Sequence, residues 1–352
     1  MRITVNKKEF ASALSNALKI TNRKSNLSIT ECVLIEACEG AIRISASNLD
    51  QMYQKDISAT VDEPCKAALD CKNLYNIVTE YPESEITISE SGSYYRIGSK
   101  TGPEFNILGS DPNDFPEIVI KYGESVEFEG KAFSDIIKKT CFIQGKPDDG
   151  RPHIKGVLFN GFAGKQLRIY STDNSMVSRH ITDKEFSGKY IVTKTGLSSI
   201  SVGEKVSISF SESTAFFETN GATWGIRLLE GDFPDCDGIC DIKNPEIEFD
   251  SYDIFDLLKR AKTMNSEEYK SINLEFNKGK LIAKVNNPDI GEFVESIDMD
   301  LENDVTLAVN TKFLYSIICA TNDDSKIQIF GEKRPVIVRD GSFVFAIMPM
   351  SL

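Results

Sequence analysis

Residues 133–140 read Phe-Ser-Asp-Ile-Ile-Lys-Lys-Thr, and residues 254–261 read Ile-Phe-Asp-Leu-Leu-Lys-Arg-Ala, 121 positions later. Both place apolar residues at i, i+3 and i+4, the period of one helix face. Near the start of the chain Phe10, Ala13, Leu14, Ala17 and Leu18 make the same stripe. One helical element therefore recurs at a spacing near 120 residues, and internal repeats decide architecture before any other feature.

Working outward, a second helical segment recurs. Cys71-Lys72-Asn73-Leu74-Tyr75-Asn76-Ile77 matches Thr311-Lys312-Phe313-Leu314-Tyr315-Ser316-Ile317, two periods away. Residues 193–200 are a looser copy between them, with Gly196 as a poor helix former in the middle. An extended segment recurs as well, starting at Phe105, Trp224 and Phe343, each start 119 from the last. The first two copies lead into Asp114-Phe115-Pro116 and Asp232-Phe233-Pro234.

Alternating strands such as residues 42–45, 86–89, 167–170, 206–209 and 327–329 fill the space between, bounded by turns at Gly40, Gly279 and Gly341. The expectation is one α+β domain used three times, with two helices packed on antiparallel sheet in each. The expected bounds are residues 1–121, 122–242 and 243–352.

The bulk numbers narrow the function classes. The chain has 352 residues, 41% hydrophobic and 26% charged, enough for sizeable cores without staples. Its net charge is -13, which on average opposes nucleic-acid binding. An average can hide a segregated basic face. Eight cysteines contain no Cys-x-x-Cys pair, and only His153 and His180 could add imidazole, so no metal site and no cofactor is expected. No apolar signal core opens the chain and no run of about 18 apolar residues occurs, so a cytoplasmic protein with free thiols is expected.

Projected at 100° per residue, each expected helix turns basic residues outward. In helix 7–22, Lys8, Ser12, Lys19 and Arg23 oppose the apolar stripe. Lys72 faces away in helix 71–81, Lys131 and Lys138 in helix 131–142, Lys259 in helix 252–262, and Lys312 in helix 311–320. The acidic residues fall on strands and loops, in residues 80–90, 111–129 and 292–304. Sparse Lys without Arg forks or interleaved aromatics touches phosphates but reads no bases.

The last eight residues, Phe345-Ala346-Ile347-Met348-Pro349-Met350-Ser351-Leu352, resemble the ending of the bacterial DNA sliding clamps, the β subunits of the replicative DNA polymerase III holoenzyme. Asp114-Phe115-Pro116 and Asp232-Phe233-Pro234 sit where that family ends its first and second domains. Residues 167–173, Leu-Arg-Ile-Tyr-Ser-Thr-Asp, and Asn286-Asn287-Pro288 are similar to family segments of the second and third domains. The resemblance runs from Met1 to Leu352.

The resemblance implies a non-enzymatic processivity factor. Three like domains form half of a six-domain ring, closed head to tail as a homodimer around duplex DNA, without sequence preference. It implies Lys8, Lys19, Arg23, Lys24, Lys72, Lys138, Lys139, Lys194, Lys259 and Lys312 as DNA-facing residues. It also implies a pocket for short peptides of polymerases, the clamp loader and repair proteins at Ile154, Thr172, Asn174, Val177, Pro234, Ile239, Ala346, Met348, Pro349 and Met350. Met repacks easily and suits varied partners. Phe105 and Ile107 are implied to meet the partner chain near Thr263 and Met264.

Two stretches depart from the family pattern. Asn174-Ser175-Met176 stands where the family carries Gly-His-Arg, and Cys236-Asp237-Gly238 stands where it has bulk and positive charge. Two rival readings remain open on the residues alone. An enzyme would need converging carboxylates, and no phosphate-binding glycine loop or nucleophile elbow is found. A repeat adaptor without DNA shares the fold and differs only in Lys placement.

Overall fold

The computed structural model describes residues 2–21, 27–62, 64–145, 150–161 and 166–351. One order of elements runs through the chain three times: strand, helix, four strands, helix, three strands. The first run is β1 (Arg2–Asn6), α1 (Lys7–Ile20), β2 (Cys32–Cys38), β3 (Ala41–Ser47), β4 (Gln51–Val61), β5 (Cys65–Asp70), α2 (Cys71–Glu80), β6 (Glu85–Ser91), β7 (Tyr94–Gly98) and β8 (Phe105–Ser110). The second is β9 (Ser125–Glu129), α3 (Gly130–Cys141), a single turn α4 (Pro152–Lys155), β10 (Gly156–Gly161), β11 (Gln166–Thr172), β12 (Met176–Glu185), β13 (Gly188–Thr193), α5 (Lys194–Ser199), β14 (Lys205–Phe210), β15 (Thr214–Thr219) and β16 (Ala222–Leu229). A further turn, α6 (Asp237–Cys240), precedes the third. That run is β17 (Ile247–Asp250), α7 (Phe255–Ala261), β18 (Ser271–Asn277), β19 (Lys280–Asn287), β20 (Gly291–Asp298), β21 (Val305–Asn310), α8 (Thr311–Ala320), β22 (Lys326–Ile329), β23 (Val336–Asp340) and β24 (Phe343–Ile347).

Most strand pairings recur with the element order, although the β1–β4 pair has no counterpart among the described residues of the later runs, and the pairs named below are antiparallel. The opening strand of each run pairs with the first strand after its second helix: β1 with β6, β9 with β14, β17 with β22. The strand after the first helix pairs with the strand before the second: β2 with β5, β10 with β13, β18 with β21. Two pairs join successive runs. β4 pairs with β16, setting Tyr53 opposite Trp224, and β12 pairs with β24, setting Val177 opposite Ala346. Among the described residues, the corresponding strands left over are β20, paired only with β19, and the Phe105–Leu108 stretch of β8, paired only with β7.

Local sequence explains where the helices start. Asn6 Oδ1 accepts from the backbone N–H of Lys8 at 2.9 Å and of Glu9 at 3.2 Å, Asp70 Oδ1 from that of Asn73 at 2.7 Å, and Asn310 Oδ1 from that of Phe313 at 3.3 Å. Each such cap stabilises its helix by roughly 1 kcal/mol. Helix α3 begins at Gly130, where a Cβ would lie 1.7 Å from the Gly203 carbonyl oxygen, so only glycine fits. The third run departs from the expected helix 252–262. Ser251–Ile254 form a tighter 3-10 turn, and the α-helix starts at Phe255. Asp250 makes no side-chain cap bond there, and an uncapped first turn tightens to satisfy its own N–H groups.

The chain packs as two compact units, Met1–Ser134 with Thr195–Leu228, and Asp135–Lys194 with Leu229–Leu352. In the first, Phe10, Ala13, Leu14 and Ala17 of α1 are buried along with Leu74 and Val78 of α2, and Tyr53 packs on Trp224 with ring centroids 5.1 Å apart. Leu18, expected in that stripe, is only half-buried. In the second, Leu158, Tyr170, Val177, Phe233, Ile337, Val344 and Ala346 form one cluster. Each fully buried Leu or Phe contributes about 1.5–3 kcal/mol relative to an exposed one.

Candidate functional site

The outward lysines are the first part of the site. Lys8 and Lys19 on α1, Lys72 on α2, Lys138 on α3 and Lys259 on α7 are exposed. Beside Lys259, Arg260 spends its fork on Glu295, with Nε at 2.8 Å and Nη2 at 2.5 Å from the carboxylate. Lys312 on α8 is half-exposed and 3.2 Å from Glu267, which offsets part of its charge. Arg23 and Lys24 lie outside the described residues.

Two lysines expected on this face are not on it. Lys139 is 4% exposed, and its Nζ lies 2.6 Å from Asp340 Oδ2. One residue of helix turns a side chain by 100°, so Lys138 points out and Lys139 points in. Lys194 is also 4% exposed, and its ammonium donates to the carbonyl oxygens of Ile143 at 2.5 Å, Ile154 at 2.6 Å and Thr172 at 3.1 Å. The motif match aligned it with Lys72 and Lys312. As the first residue of its helix it corresponds instead to Cys71 and Thr311, both fully buried. Burial pushes the Lys194 amine down to about 8.

The second part lies in the second unit, where Leu158, Tyr170 and residues 233–237 line a cleft next to the β11–β12 turn and the tail after β24. Leu158, Tyr170, Phe233 and Cys236 share one apolar cluster with Val177 and Ala346. Asp173 Oδ1 accepts from the backbone N–H groups of Ser175 at 2.9 Å and Met176 at 2.7 Å, which closes the turn. Asn174 takes φ 73°, the left-handed region that Asn tolerates best after Gly. That backbone suits Asn at a position where the resemblance led one to expect Gly. Thr172 Oγ1 donates to the Met176 carbonyl at 2.7 Å and locks the turn to β12.

Past β24, the Met348 N–H donates to the Ser175 carbonyl at 2.9 Å, and the Met350 N–H to the Ala308 carbonyl at 2.8 Å. The tail is held by its backbone, so the Met348 and Met350 side chains stay 43% and 38% exposed. Val177 and Ala346 lie beneath in one apolar cluster with Tyr170 and Phe233, and Ile239 packs at its margin. Ile154 and Thr172 are buried, and Lys194 ties their carbonyls together. Pro234 and Asn174 are exposed, while Pro349 is half-buried.

An ionic network at this cleft was missed in the sequence. Asp237, at the start of α6, accepts from Arg168 at 2.5 Å, Tyr170 at 2.8 Å and Arg179 at 2.9 Å. Arg179 is 4% exposed and reaches Asp241 at 2.7 Å with its other arm. Burial alone would raise the Asp237 carboxyl, but Arg179, Tyr170 and Arg168 hold it below the usual carboxylate range. The acidic residue that seemed only to subtract charge therefore anchors α6. Its one available signal is Arg168 and Tyr170 alternating on one strand face. Burial pushes Cys236 up to about 11 and Cys240 up to about 12, so neither is a ready thiolate at neutral pH.

The third part is the pair of unmatched strand edges. On β8, Phe105 is 37% and Leu108 64% exposed, and Ile107 is half-buried. On β20, Val294 is 63% exposed. Thr263 is exposed and Met264 half-buried, and Asn287 Nδ2 donates to the Met264 carbonyl at 2.8 Å. Among the described residues no cluster of His, Cys, Asp and Glu is placed to hold a metal, and no helix is long and apolar enough to cross a membrane.

Residues 1–119 match the family described as DNA polymerase III beta subunit, N-terminal domain, and residues 242–351 match its C-terminal domain family. Among curated relatives, the beta sliding clamp of Streptococcus pneumoniae is 24% identical, covering 100% of this chain and 95% of its own. The beta sliding clamp of Chlamydia trachomatis is 22% identical, covering 100% and 87%. Among solved structures, a putative DNA polymerase III beta subunit from Eubacterium rectale superposes with TM-score 0.91 at 24% identity, over 100% of both chains. A sliding clamp from Bartonella birtlesii bound to griselimycin superposes with TM-score 0.92 at 20% identity, also over 100% of both. These likenesses extend over the whole chain and establish the fold.

Proposed function

The chain belongs to the DNA polymerase III beta-subunit family, the bacterial sliding clamps, and on that premise we propose how it works as the processivity factor of DNA replication. It acts by topology and without catalysis. Its domains are residues 1–121, 122–242 and 243–352, and two chains close head to tail into a ring of six around duplex DNA. A closed ring cannot leave its duplex sideways, so a polymerase bound to it stays on the template.

The observation that carries this reading is the pairing rule. Within one chain β4 pairs with β16 and β12 pairs with β24, which leaves β20 and β8 as the one corresponding pair without a joint. Their union between two chains, at Phe105 and Ile107 against the edge near Thr263 and Met264, completes the series. The interface is heterologous, and two copies close it.

Lys8, Lys19, Lys72, Lys138, Lys259 and Lys312 face the duplex and neutralise phosphates transiently, often through water. The remaining surface is acidic on balance, as the net charge of -13 requires, and discourages contact from outside. The cleft beside Met348 and Met350 receives short peptides of polymerases, the clamp loader and repair proteins. Griselimycin on the Bartonella birtlesii clamp supports the existence of a ligand site on such a fold. The site of action is the cytoplasm, on the chromosome.

Light scattering across a dilution series tests the ring first. The expected mass is near twice 39.2 kDa and holds on dilution. A monomer at every concentration would overturn the two-chain ring.

A further inference from the structure

The first unit holds a cavity of about 420 Å³ between α1 and the sheet face made by β4 and β16. Its wall includes Ser12, Asn16, Lys19, Lys55, Ser201 and Trp224, and no Asp or Glu lines it. That runs against composition, because the chain carries 53 acidic and 40 basic residues. Donors surround this space and carboxylates do not.

The two ammonium groups are uncompensated. Lys19 Nζ donates to Ser201 Oγ at 2.7 Å, and Ser201 Oγ donates on to Asn16 Oδ1 at 2.6 Å. A neutral hydroxyl thus orients the ammonium and leaves its charge and its other two hydrogens unspent. Lys55 stands opposite Ala222 in the β4–β16 pair. The adjacent carboxylate, Asp56, is taken by Arg43 at 2.7 Å and points to the other face of the strand. Trp224, 1% exposed, has a buried indole Nε1–H that meets no acceptor among the described residues. A buried donor without an acceptor is costly and rare in folded proteins.

We propose that this cavity is a seat for a phosphate group, held between Lys19 and Lys55 with Ser12 as a hydroxyl donor, while Ser201 spends its hydrogen on Asn16 and orients Lys19. Paired ammonium groups and a hydroxyl without a competing carboxylate suit a dianion or a phosphodiester. The backbone of the encircled duplex supplies that phosphate, because Ser12 and Lys19 share the exposed face of α1 with Lys8. The source, though not the seat, rests on the reading of α1 as facing DNA. Each chain then has one fixed holding point amid lysines that touch phosphates only in passing.

The chain has a single tryptophan, so its indole N–H resonance and its fluorescence report on this cavity alone. The intact protein is titrated with inorganic phosphate and, separately, with a short duplex, each against sodium chloride at matched ionic strength. A saturable shift with both, absent with chloride, is expected. Lys19→Gln and Lys55→Gln should each weaken phosphate binding about tenfold, the loss of one charge-assisted bond. Lys138→Glu, on another helix, should weaken duplex binding and leave the inorganic-phosphate response unchanged, which separates failure of the DNA reading from failure of the seat. A phosphate shift without a duplex shift, in protein that still binds duplex by anisotropy, would overturn the DNA source and assign a free phosphate compound. No saturable phosphate response, or Gln variants that both bind phosphate as tightly as the parent, would overturn the seat.

Discussion

Lys139 and Asp340 form a closed pair, Nζ to Oδ2 at 2.6 Å with both side chains at most 5% exposed, although the neighbouring Lys138 points into solvent. Asn322 satisfies the rest of the Asp340 carboxylate, with Nδ2 at 2.8 Å and its backbone N–H at 3.3 Å. The pair joins α3 to β23, and two consecutive lysines have opposite work.

Removing one partner of a buried pair strands the other charge, at a cost of about 3–5 kcal/mol. Lys139→Met is expected to lower unfolding stability by that amount in a denaturant titration. Lys138→Glu should change stability by no more than about 0.5 kcal/mol, as exposed substitutions do. In a loading assay on circular DNA, Lys138→Glu combined with Lys259→Glu should lose processive synthesis. Full processivity in that double variant would remove both lysines from the DNA-facing wall.

Leu108 is 64% exposed, so Leu108→Asp takes nothing from the core of the single chain. On an edge that joins two chains, it buries a charge without a partner. Sedimentation should find the variant dissociating at concentrations where the parent stays dimeric, with unchanged circular dichroism. A variant as dimeric as the parent would move the joint away from β8.

Backbone hydrogen bonds hold Met348 and Met350, and their side chains stay 43% and 38% exposed, open to a ligand. The double substitution Met348→Ala, Met350→Ala is expected to weaken a clamp-binding peptide about tenfold or more in fluorescence anisotropy, since two buried contacts of this size supply at least 1.4 kcal/mol. The melting temperature should hardly move. Unaltered peptide affinity would place the recognition surface elsewhere.

His180 stacks on Phe343 with ring centroids 4.0 Å apart, and burial together with nearby Lys139 pushes its imidazole down to about 4. The unfolded chain holds a proton there below about 6.5. The folded chain gives that proton up until the pH nears 4. Stability from this group is therefore complete above pH 6.5 and is lost as pH falls toward 4. His180→Phe should flatten that part of the stability profile, read as the parent-minus-variant difference in denaturation midpoint between pH 7 and pH 4.5. An identical slope in the variant would clear His180 of the effect.

The repeat was legible because helix and strand periods survive divergence, as residues 133–140 and 254–261 illustrate. Burial at Lys139 and Lys194 was not legible. An outward lysine and an inward one differ by a single helical position, and what decides is the acceptor brought from far along the chain: Asp340 for one, the carbonyls of Ile143, Ile154 and Thr172 for the other. Asp237 escaped notice for the same reason, because its partners Arg168 and Arg179 stand more than fifty residues away. Asn174 is the opposite case. Its backbone angle alone explains the residue, and a turn of that kind is written locally.

On the proposed pairing, each chain offers one β8 edge and one β20 edge to its neighbours, so it behaves as a bifunctional monomer. Bifunctional units either cyclise or polymerise, and the bend at each joint chooses between them. A substitution that changed that bend without weakening the joint would not dissociate the protein. It would turn rings into growing filaments, whose light scattering rises with time and concentration.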